Sequence, residues 1–319
     1  MNSFQDVFHY RSSMGDRSMK PNPVLRELGL SKTDRVMIVH ADDIGMCQAG
    51  VAALDGLVNS GVVSSLAAMV ACPWFPAVAD YYRAHPAMDL GLHFTLTSEW
   101  DAYRWGPIST RDPGSGIIDA EGFFPQRSEP VQQKAKTAAV KAELEAQLRR
   151  AASAGIDLTH VDSHMGTVFH PKFLETYLQT AAKAGLPALW MRVDEPGAKA
   201  MGLDDRTAAA VARLTRGLES RGMPLFDRIF VMPLDDPKDR VATAKRAMAE
   251  LPPGLSYFIL HPACDTPELR AIADDWECRV ADYQAFTGKP MRDFLKKSGI
   301  HIVGWRPLRD LMRRKAGMG

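Results

Sequence analysis

Histidines and aspartates recur at the ends of the apolar runs of this 319-residue chain. The first run ends in HADDIG, with His40, Asp42 and Asp43, and a later run contains GLHFT, with His93. Adjacent carboxylates such as Asp42 and Asp43 repel each other unless a cation or a proton compensates their charge. A divalent metal would do so if one carboxylate bound it and the other stayed available as a base. The alternative is that one of the two only caps the helix that follows.

A further run, HVDSH, places His160, Asp162 and His164 two residues apart, so all three point to one face of a strand. In a barrel that face is the interior, where polar groups must be hydrogen-bonded or bound to metal. Histidine is a common metal ligand, and a neighbouring carboxylate can fix its tautomer. His164, at the end of the run, is the expected ligand, and a hydrogen-bonded network without metal is the alternative.

The elements that must position these residues follow a regular alternation of apolar runs and helical patterns. The apolar runs cover residues 36–40, 65–70, 89–96, 158–164, 188–194, 228–233, 256–261 and 300–305. The stretches between them have helix-forming composition and end at or near glycines. Strands that alternate with helices predict a parallel sheet, and seven or eight such units fit a closed (β/α) barrel. No G-x-G-x-x-G turn follows the first run, which disfavours an open dinucleotide-binding sheet.

Two segments interrupt this alternation. Residues 1–33 are polar and show no clear period, so we expect an N-terminal extension ahead of one barrel domain over residues 34–319. Residues 97–130, after the third strand, are rich in Gly, Pro and Ser and carry Trp100 and Trp105. A connection of this length predicts a lid or an insertion. Its aromatic rings could stack on sugars or could form a small core of the loop itself.

The active site of a parallel barrel lies at the carboxyl ends of its strands. His93 and His164, from separate strands, are therefore expected to meet Asp43 there. Two histidines and one carboxylate, with positions left open for water and substrate, are typical of a hydrolytic or Lewis-acid metal site. His261, at the end of the seventh run, could donate a proton to a leaving group, or it could only cap the strand.

The composition is that of an ordinary soluble globular protein, with 46% hydrophobic and 24% charged residues. A formal net charge of +1 gives no reason to expect a nucleic-acid partner. No apolar segment is long enough to span a membrane, and the N-terminal residues lack the pattern of a signal peptide. The four cysteines form no C-x-x-C pair. We therefore expect a cytoplasmic protein.

The chain resembles the YdjC-like carbohydrate deacetylases, which include chitooligosaccharide deacetylase and are related to the polysaccharide deacetylases. The matching motifs are VHADDIGMC, SGVVSSLAAMV, GLHFTLT, THVDSHMG and ILHPA, in that order between residues 35 and 265. The resemblance implies a distorted TIM-like α/β barrel of seven to eight strands that binds Mg²⁺ or Zn²⁺. It also implies hydrolysis of the acetyl group of an N-acetylated sugar or oligosaccharide, and a homodimer is a further expectation from the family.

The resemblance also implies residue roles, taken over position by position. The implied metal ligands are Asp43, His93 and His164, and the implied base and general acid are Asp42 and His261. Arg192, in the fifth run, resembles the arginine that orients the base in related deacetylases. The candidate substrate contacts are Trp100, Trp105, Asp162 and His170. The chain departs from many relatives after DSH, where MGTVFH replaces a histidine-rich run and His170 could stand in for one of those histidines.

Other functions remain compatible with these residues. A metal-dependent hydrolase of a non-sugar amide or ester would need the same metal site, so only a substrate screen would separate it from a sugar deacetylase. A non-catalytic sugar-binding barrel is disfavoured because every candidate acid, base and ligand is present. A nucleotide-binding oxidoreductase is disfavoured by the missing phosphate-binding glycine loop.

Overall fold

A parallel sheet forms the centre of the protein in the computed structural model, which describes residues 20–317. Its strands are β1 (Arg35–Ile44), β2 (Ser65–Ala68), β3 (Leu90–Phe94), β4 (Val161–Ser163), β5 (Arg228–Val231), β6 (Gly254–Leu260) and β7 (Ile300–Ile302). They lie in the order β4-β3-β2-β1-β6-β5, with β7 also paired to β1. All of these pairings are parallel, so each successive strand needs a crossover connection.

A short extended segment closes the sheet into a distorted barrel. Isolated parallel bridges join Val161 of β4 to Ala188, and Met191 to Phe226 just before β5. Residues 188–191 therefore occupy the position of a strand between β4 and β5. The predicted strand at 188–194 is present only as this bridged segment. The expectation of a parallel α/β barrel with seven to eight strands is confirmed.

Helices connect the strands and cover the outside of the sheet. They are α1 (Pro23–Glu27), α2 (Gln48–Ala52), α3 (Leu54–Val58), α4 (Phe75–Ala84), α5 (Ser128–Lys134), α6 (Thr137–Ser153), α7 (Pro171–Lys183), α8 (Glu195–Ala200), α9 (Asp205–Ser220), α10 (Arg240–Ala249), α11 (Pro267–Ile272), α12 (Trp276–Thr287), α13 (Lys289–Ser298) and α14 (Trp305–Lys315). Local signals set several of their ends: the Asp204 carboxylate accepts a hydrogen bond from Thr207 N at the start of α9. Among residues 20–317, no helix has the length and apolar character needed to cross a bilayer.

Three aromatic residues in tilted and edge-to-face contact fill the barrel below the polar site. The rings of Phe226, Tyr257 and Trp305 lie 4.9–5.7 Å apart, centre to centre, and all three side chains are buried. His40 stacks on Tyr257 at 4.8 Å, and His160 stacks on Trp305 at 4.7 Å. We call these three aromatic residues the aromatic floor. The polar side chains inside the barrel lie directly above this layer, beginning with His40 and His160.

The described part of the predicted N-terminal extension packs against the amino-terminal side of the barrel. Residues 1–19 of that extension lie outside the described part of the chain. Asn22 caps α1 and donates hydrogen bonds to Leu225 O and to Asp227 Oδ2, while Leu25 is buried. Val24 and Leu25 belong to the hydrophobic core of the barrel. The domain boundary at residue 33 stays a prediction.

The long connection after β3 is a folded loop. Its two ends are joined by hydrogen bonds from Ser98 N to Pro125 O and from Phe124 N to Trp105 O. Trp105, Ile117 and Phe124 are buried in it. The connection therefore has a core of its own, and its closing motion as a lid stays a prediction.

Candidate metal centre

A bulge at the end of β1 brings two adjacent aspartates into one site. Neighbouring residues of a regular strand point to opposite faces, so Asp42 and Asp43 should diverge. Between Ala41 and Ile44, however, β1 has one residue more than the facing stretch of β2. Asp43 has φ of +64°, a left-handed conformation that is uncommon for a residue with a side chain. The bulge and this conformation let both carboxylates reach the barrel mouth.

Asp43 meets two histidines, His93 on β3 and His164 directly after β4, as the sequence predicted. Its Oδ1 lies 3.4 Å from His93 Nε2 and 3.1 Å from His164 Nδ1. Metal–ligand bonds of about 2.0–2.1 Å place neighbouring ligand atoms about 3.0–3.4 Å apart, so these distances fit one coordination sphere. Asp43 Oδ1 is buried and accepts no hydrogen bond from the described residues. Such an orphaned carboxylate oxygen is what a bound cation would satisfy.

Both histidines are held from behind by a carboxylate. His93 Nδ1 lies 2.7 Å from Asp162 Oδ1, and His164 Nε2 lies 2.8 Å from Glu99 Oε2. In each ring the nitrogen that faces Asp43 is thereby left as the one available to a metal. Carboxylate–histidine pairs of this kind fix the ring orientation and the tautomer of metal ligands.

Asp43 is held from behind by a guanidinium group. Its second oxygen, Oδ2, accepts a hydrogen bond from Arg279 Nη1 at 2.8 Å, and Arg279 also pairs with Asp275 at 2.7 Å. Arg279 lies on α12 and is buried. In each of the three candidate ligands, one side-chain atom is bonded to a supporting residue. The other atom faces the centre of the cluster.

The electrostatics of the cluster favour positive charge at its centre. Burial lowers the pKa of His164, but Glu99 and Asp43 outweigh that effect and raise it to about 9. Burial opposes the charge of Asp43, yet His164, His93 and Arg279 hold the pKa of this carboxyl well below its usual range. A group of carboxylates that keeps a proton on a buried imidazole would also attract a divalent cation, which competes with that proton.

Asp42 lies next to the candidate ligands and faces His261. Its Oδ2 is 3.8 Å from His261 Nε2, and its Oδ1 is 3.6 Å from His93 Nδ1. The backbone N–H of His261 donates to Asp282 Oδ2 at 3.1 Å, and Asp282 is in turn paired with Arg240. The structure therefore brings the predicted base and the predicted acid together at the mouth of the barrel.

Arg192 does not lie near Asp42, in contrast to the role inferred for it from the sequence. Its guanidinium bonds to Glu219 at 2.7 Å and to Asp227 at 2.7 Å. Asp227 accepts from Leu255 N near the start of β6, whereas the cluster lies beyond the strand ends. The Arg192 side chain therefore lies on the amino-terminal side of the barrel, where it also donates a hydrogen bond to Lys20 O at 3.1 Å. The arginine beside the aspartate pair is instead Arg279.

This placement predicts that Arg192 acts on stability alone. Arg192→Met should lower the free energy of unfolding by about 1.5–3 kcal/mol, the cost of losing charged hydrogen bonds. Metal content and the rate of substrate turnover should match those of the wild-type protein. Denaturant titration and metal analysis would check this result. A large loss of turnover by a folded Arg192→Met protein would support the role inferred from the sequence.

Two of the predicted substrate contacts, Trp100 and Trp105, are largely buried. Trp100 and Trp105 are 8% and 2% exposed, and their rings pack edge to face at 5.9 Å. Trp100 also covers Arg279, and the ring of Trp105 lies 6.4 Å from that of His164. The two rings pack against the outer side of the cluster. This arrangement agrees with the alternative that they form a small core of the loop itself.

The two other predicted substrate contacts, Asp162 and His170, are bonded to neighbouring residues of the fold. Asp162 is buried behind His93. His170 is the N-cap of α7, where its Nδ1 accepts from Lys172 N at 3.3 Å, and none of its hydrogen bonds or ring contacts involves the cluster.

Glu99 and Arg279 are the members of the site that the sequence did not reveal. Glu99 lies in the loop five residues after the end of β3, on the side of the barrel where active-site residues are expected, so its position was a usable signal. Arg279 lies within a helix, four residues after Asp275, and this spacing is typical of an exposed ion pair. Nothing in the sequence indicates that it reaches the barrel mouth.

Removing the Arg279 guanidinium should weaken both the fold and the metal centre. Arg279→Met leaves Asp43 and Asp275 without their shared cation. We expect the metal-free protein to lose about 3–5 kcal/mol of stability, as when a buried pair is broken. Metal affinity should fall about 10–100-fold, the usual effect of losing an outer partner of a ligand.

Denaturant and metal titrations would measure both effects of Arg279→Met. The matched control is Arg83→Met, because Arg83 pairs with Asp80 on the surface and its loss should cost no more than about 1 kcal/mol. Unchanged metal affinity in a folded Arg279→Met protein would contradict the supporting role of Arg279.

Taken with the barrel, this cluster defines a class: an α/β-barrel protein with a histidine–aspartate metal-type site at the carboxyl ends of its strands. Residues 36–297 match the family described as YdjC-like protein. The chain therefore belongs to the YdjC-like family. A protein of Thermus thermophilus named carbohydrate deacetylase is 33% identical over 299 residues, covering 91% of this chain and 99% of the relative.

Further relatives agree with this membership. A protein of Yersinia enterocolitica named chitooligosaccharide deacetylase is 28% identical over 176 residues, covering 53% of this chain and 64% of its own. A crystal structure from Enterococcus faecalis, described as a putative cellobiose-phosphate cleavage protein, superposes with a TM-score of 0.71 at 21% identity. It covers 86% of this chain and 99% of that one, and supports the fold.

Proposed function

We propose that this protein is a metal-dependent deacetylase that removes the acetyl group from an N-acetylated sugar or oligosaccharide. The observation that carries the proposal is the arrangement of Asp43, His93 and His164, whose inward atoms lie at ligand spacing while their outward atoms are bonded. The names of the relatives, carbohydrate deacetylase and chitooligosaccharide deacetylase, support the substrate class. The cation would be Mg²⁺ or Zn²⁺.

Among residues 20–317, two other groups of side chains also lie close enough to share an ion. They are His40, His160 and Asp162, and Asp42, His93 and Asp162. We assign the metal to the cluster of Asp43, His93 and His164, because both other groups contain Asp162, whose Oδ1 is already bonded to His93 Nδ1 at 2.7 Å. A divalent cation there would supply Lewis acidity, which polarises an amide carbonyl and stabilises the negative charge that develops during its hydrolysis.

The residues of the chain supply the proton transfers. Asp42 accepts a proton from the water that attacks the acetamide carbonyl carbon, because its Oδ2 faces the barrel mouth. His261 donates a proton to the amine nitrogen as the carbon–nitrogen bond breaks, since an unprotonated amine is a poor leaving group. Water and the amide thus become acetate and a free amino sugar. Asp42 Oδ2 and His261 Nε2 lie 3.8 Å apart, so both groups can reach one bound acetamide.

A substrate panel tests the reaction class. The wild-type protein, loaded with Zn²⁺ or Mg²⁺, would be given N-acetylglucosamine, its short β-linked oligomers, an N-acetylated amino acid and an O-acetylated sugar. Acetate release from the N-acetylated sugars alone is the expected result. Release from the amino acid or the ester, and not from any N-acetylated sugar, would replace the substrate class and keep the metal-dependent hydrolase. Metal binding without acetate release from any compound would contradict the deacetylase proposal.

A further inference from the structure

His40 lies in the middle of the site, although the proposed mechanism gives it no part. It is fully buried in β1, two residues before Asp42, so both side chains point into the barrel. Its Nδ1 lies 3.0 Å from Ser65 Oγ, and its ring stacks on Tyr257 of the aromatic floor. One nitrogen and one ring face are therefore fixed by neighbours that have no part in the reaction.

The other nitrogen of His40 faces two carboxylates. His40 Nε2 lies 2.9 Å from Asp42 Oδ1 and 3.1 Å from Asp162 Oδ2. Both contacts are at ion-pair distance, although neither has the geometry of a well-aligned hydrogen bond. His40 thus separates two carboxylates that would otherwise repel each other.

The contact also determines which oxygen of Asp42 remains available. Oδ1 is turned inward to His40, and Oδ2 is turned outward to His261 at 3.8 Å. Arg279, the cation nearest to the aspartate pair, bonds to Asp43 and Asp275 and makes no contact with Asp42. His40 makes the shortest of the contacts to Asp42, at 2.9 Å, since His93 Nδ1 and His261 Nε2 lie 3.6 and 3.8 Å from its oxygens.

We propose that His40 is a positioning residue that holds the Asp42 carboxylate with Oδ2 toward the barrel mouth and joins it to Asp162, the support of His93. This inference rests on the proposed function only for the role given to Asp42. It predicts that the Nε2 donor, and not the bulk of the ring, is the part of His40 that matters.

Two substitutions separate the two nitrogens of His40. The Gln amide extends as far as Nε2 of histidine, so His40→Gln keeps a donor between the carboxylates. The Asn amide extends only as far as Nδ1, so His40→Asn keeps a donor for Ser65 and loses the one for Asp42. The variants therefore differ at the contact in question and are matched in chemistry.

The experiment compares wild type, His40→Gln and His40→Asn, each loaded with Zn²⁺. Crystal structures would give the orientation of Asp42, and kinetics on the accepted N-acetylated sugar would give kcat and KM. We expect His40→Asn to keep its metal and its KM, to lose about 10–100-fold in kcat, and to show Asp42 rotated. His40→Gln should recover most of kcat and keep Asp42 in place.

Three outcomes would overturn the proposal. One is Asp42 in its wild-type orientation in His40→Asn, a result that does not depend on finding a substrate and so stands even if the proposed function fails. Another is equal loss of kcat in His40→Gln and His40→Asn, which would make the ring itself the essential part. The third is loss of metal from His40→Asn, which would mean that His40 acts on the ligands and not on Asp42.

If His40→Asn does not fold, Ser65→Ala provides the second variant. It removes the Nδ1 partner and leaves the Nε2 contacts in place. We expect Asp42 to keep its orientation and kcat to stay within about threefold of wild type, the effect of one neutral hydrogen bond. A rotated Asp42 in Ser65→Ala, with His40 unmoved, would overturn the proposal.

Discussion

His164→Ala is expected to lose both the bound metal and the release of acetate. His164 supplies one of three inward ligand atoms, and alanine leaves Asp43 Oδ1 with only His93 beside it. The affinity loss should exceed the 10–100-fold that follows removal of an outer partner, because a ligand itself is removed. Metal analysis of the purified protein and acetate release measured side by side would show the two losses together.

A matched control makes the His164→Ala result specific. His301 is an exposed histidine on β7, and its substitution by alanine should leave metal content and acetate release unchanged. His93→Ala should reproduce the effects of His164→Ala, since it removes the second imidazole of the same cluster. Retention of a full metal equivalent by a folded His164→Ala protein would contradict the assignment of His164 as a ligand.

Asp42→Asn is expected to separate catalysis from metal binding. The amide has the shape of the carboxylate but cannot accept a proton from the attacking water. We expect acetate release to fall about 10²–10⁴-fold, the usual contribution of a general base, with the metal content unchanged. The measurement is kcat for Asp42→Asn at saturating metal, with metal content determined on the same sample.

The neighbouring aspartate provides the sharpest comparison. Asp43→Asn should lose metal affinity together with activity, because Asp43 Oδ1 is a proposed ligand and its Oδ2 anchors Arg279. Asp205→Asn, at an exposed position on α9, should change neither quantity. An Asp42→Asn protein that released acetate at the wild-type rate would remove Asp42 from the mechanism. Loss of metal from that variant would make Asp42 a ligand.

The strand pattern and the ends of the strands were predictable from the sequence for physical reasons. Each apolar run is flanked by helical stretches with clear end signals, so the parallel arrangement follows from alternation alone. Since parallel strands point their carboxyl ends to one side, His93 and His164 could be expected near Asp43 without knowledge of their separation. The structure places His93 Nε2 at 3.4 Å and His164 Nδ1 at 3.1 Å from Asp43 Oδ1.

Other features depend on geometry that residue types do not encode. The bulge that turns Asp43 inward is a local change of register, and simple alternation would have pointed Asp43 outward. Arg192 lies in an apolar run, yet that segment makes only isolated bridges, so its side-chain direction does not follow the alternation rule. Arg279 comes from a helix that is distant in sequence. Only the folded chain shows which arginine reaches the aspartate pair.

The burial of Trp100 and Trp105 has a similar explanation. A long Gly- and Pro-rich connection that carries aromatic residues predicts either a binding loop or a self-packed loop, and composition does not distinguish them. Trp105 Nε1 donates a hydrogen bond to Thr97 O, and the ring of Trp100 packs against the guanidinium of Arg279. These contacts favour a self-packed loop over a binding loop. Both rings therefore support the metal cluster from its outer side.

The most direct test of the central claim is a metal titration of the stripped protein, followed by acetate release from an N-acetylated sugar. The account predicts no release in the presence of a chelator, and release that rises in proportion to added Zn²⁺ or Mg²⁺ until one ion is bound per chain. Asp43→Asn should stay inactive through the same titration. Full acetate release by the metal-free wild-type protein would contradict the account.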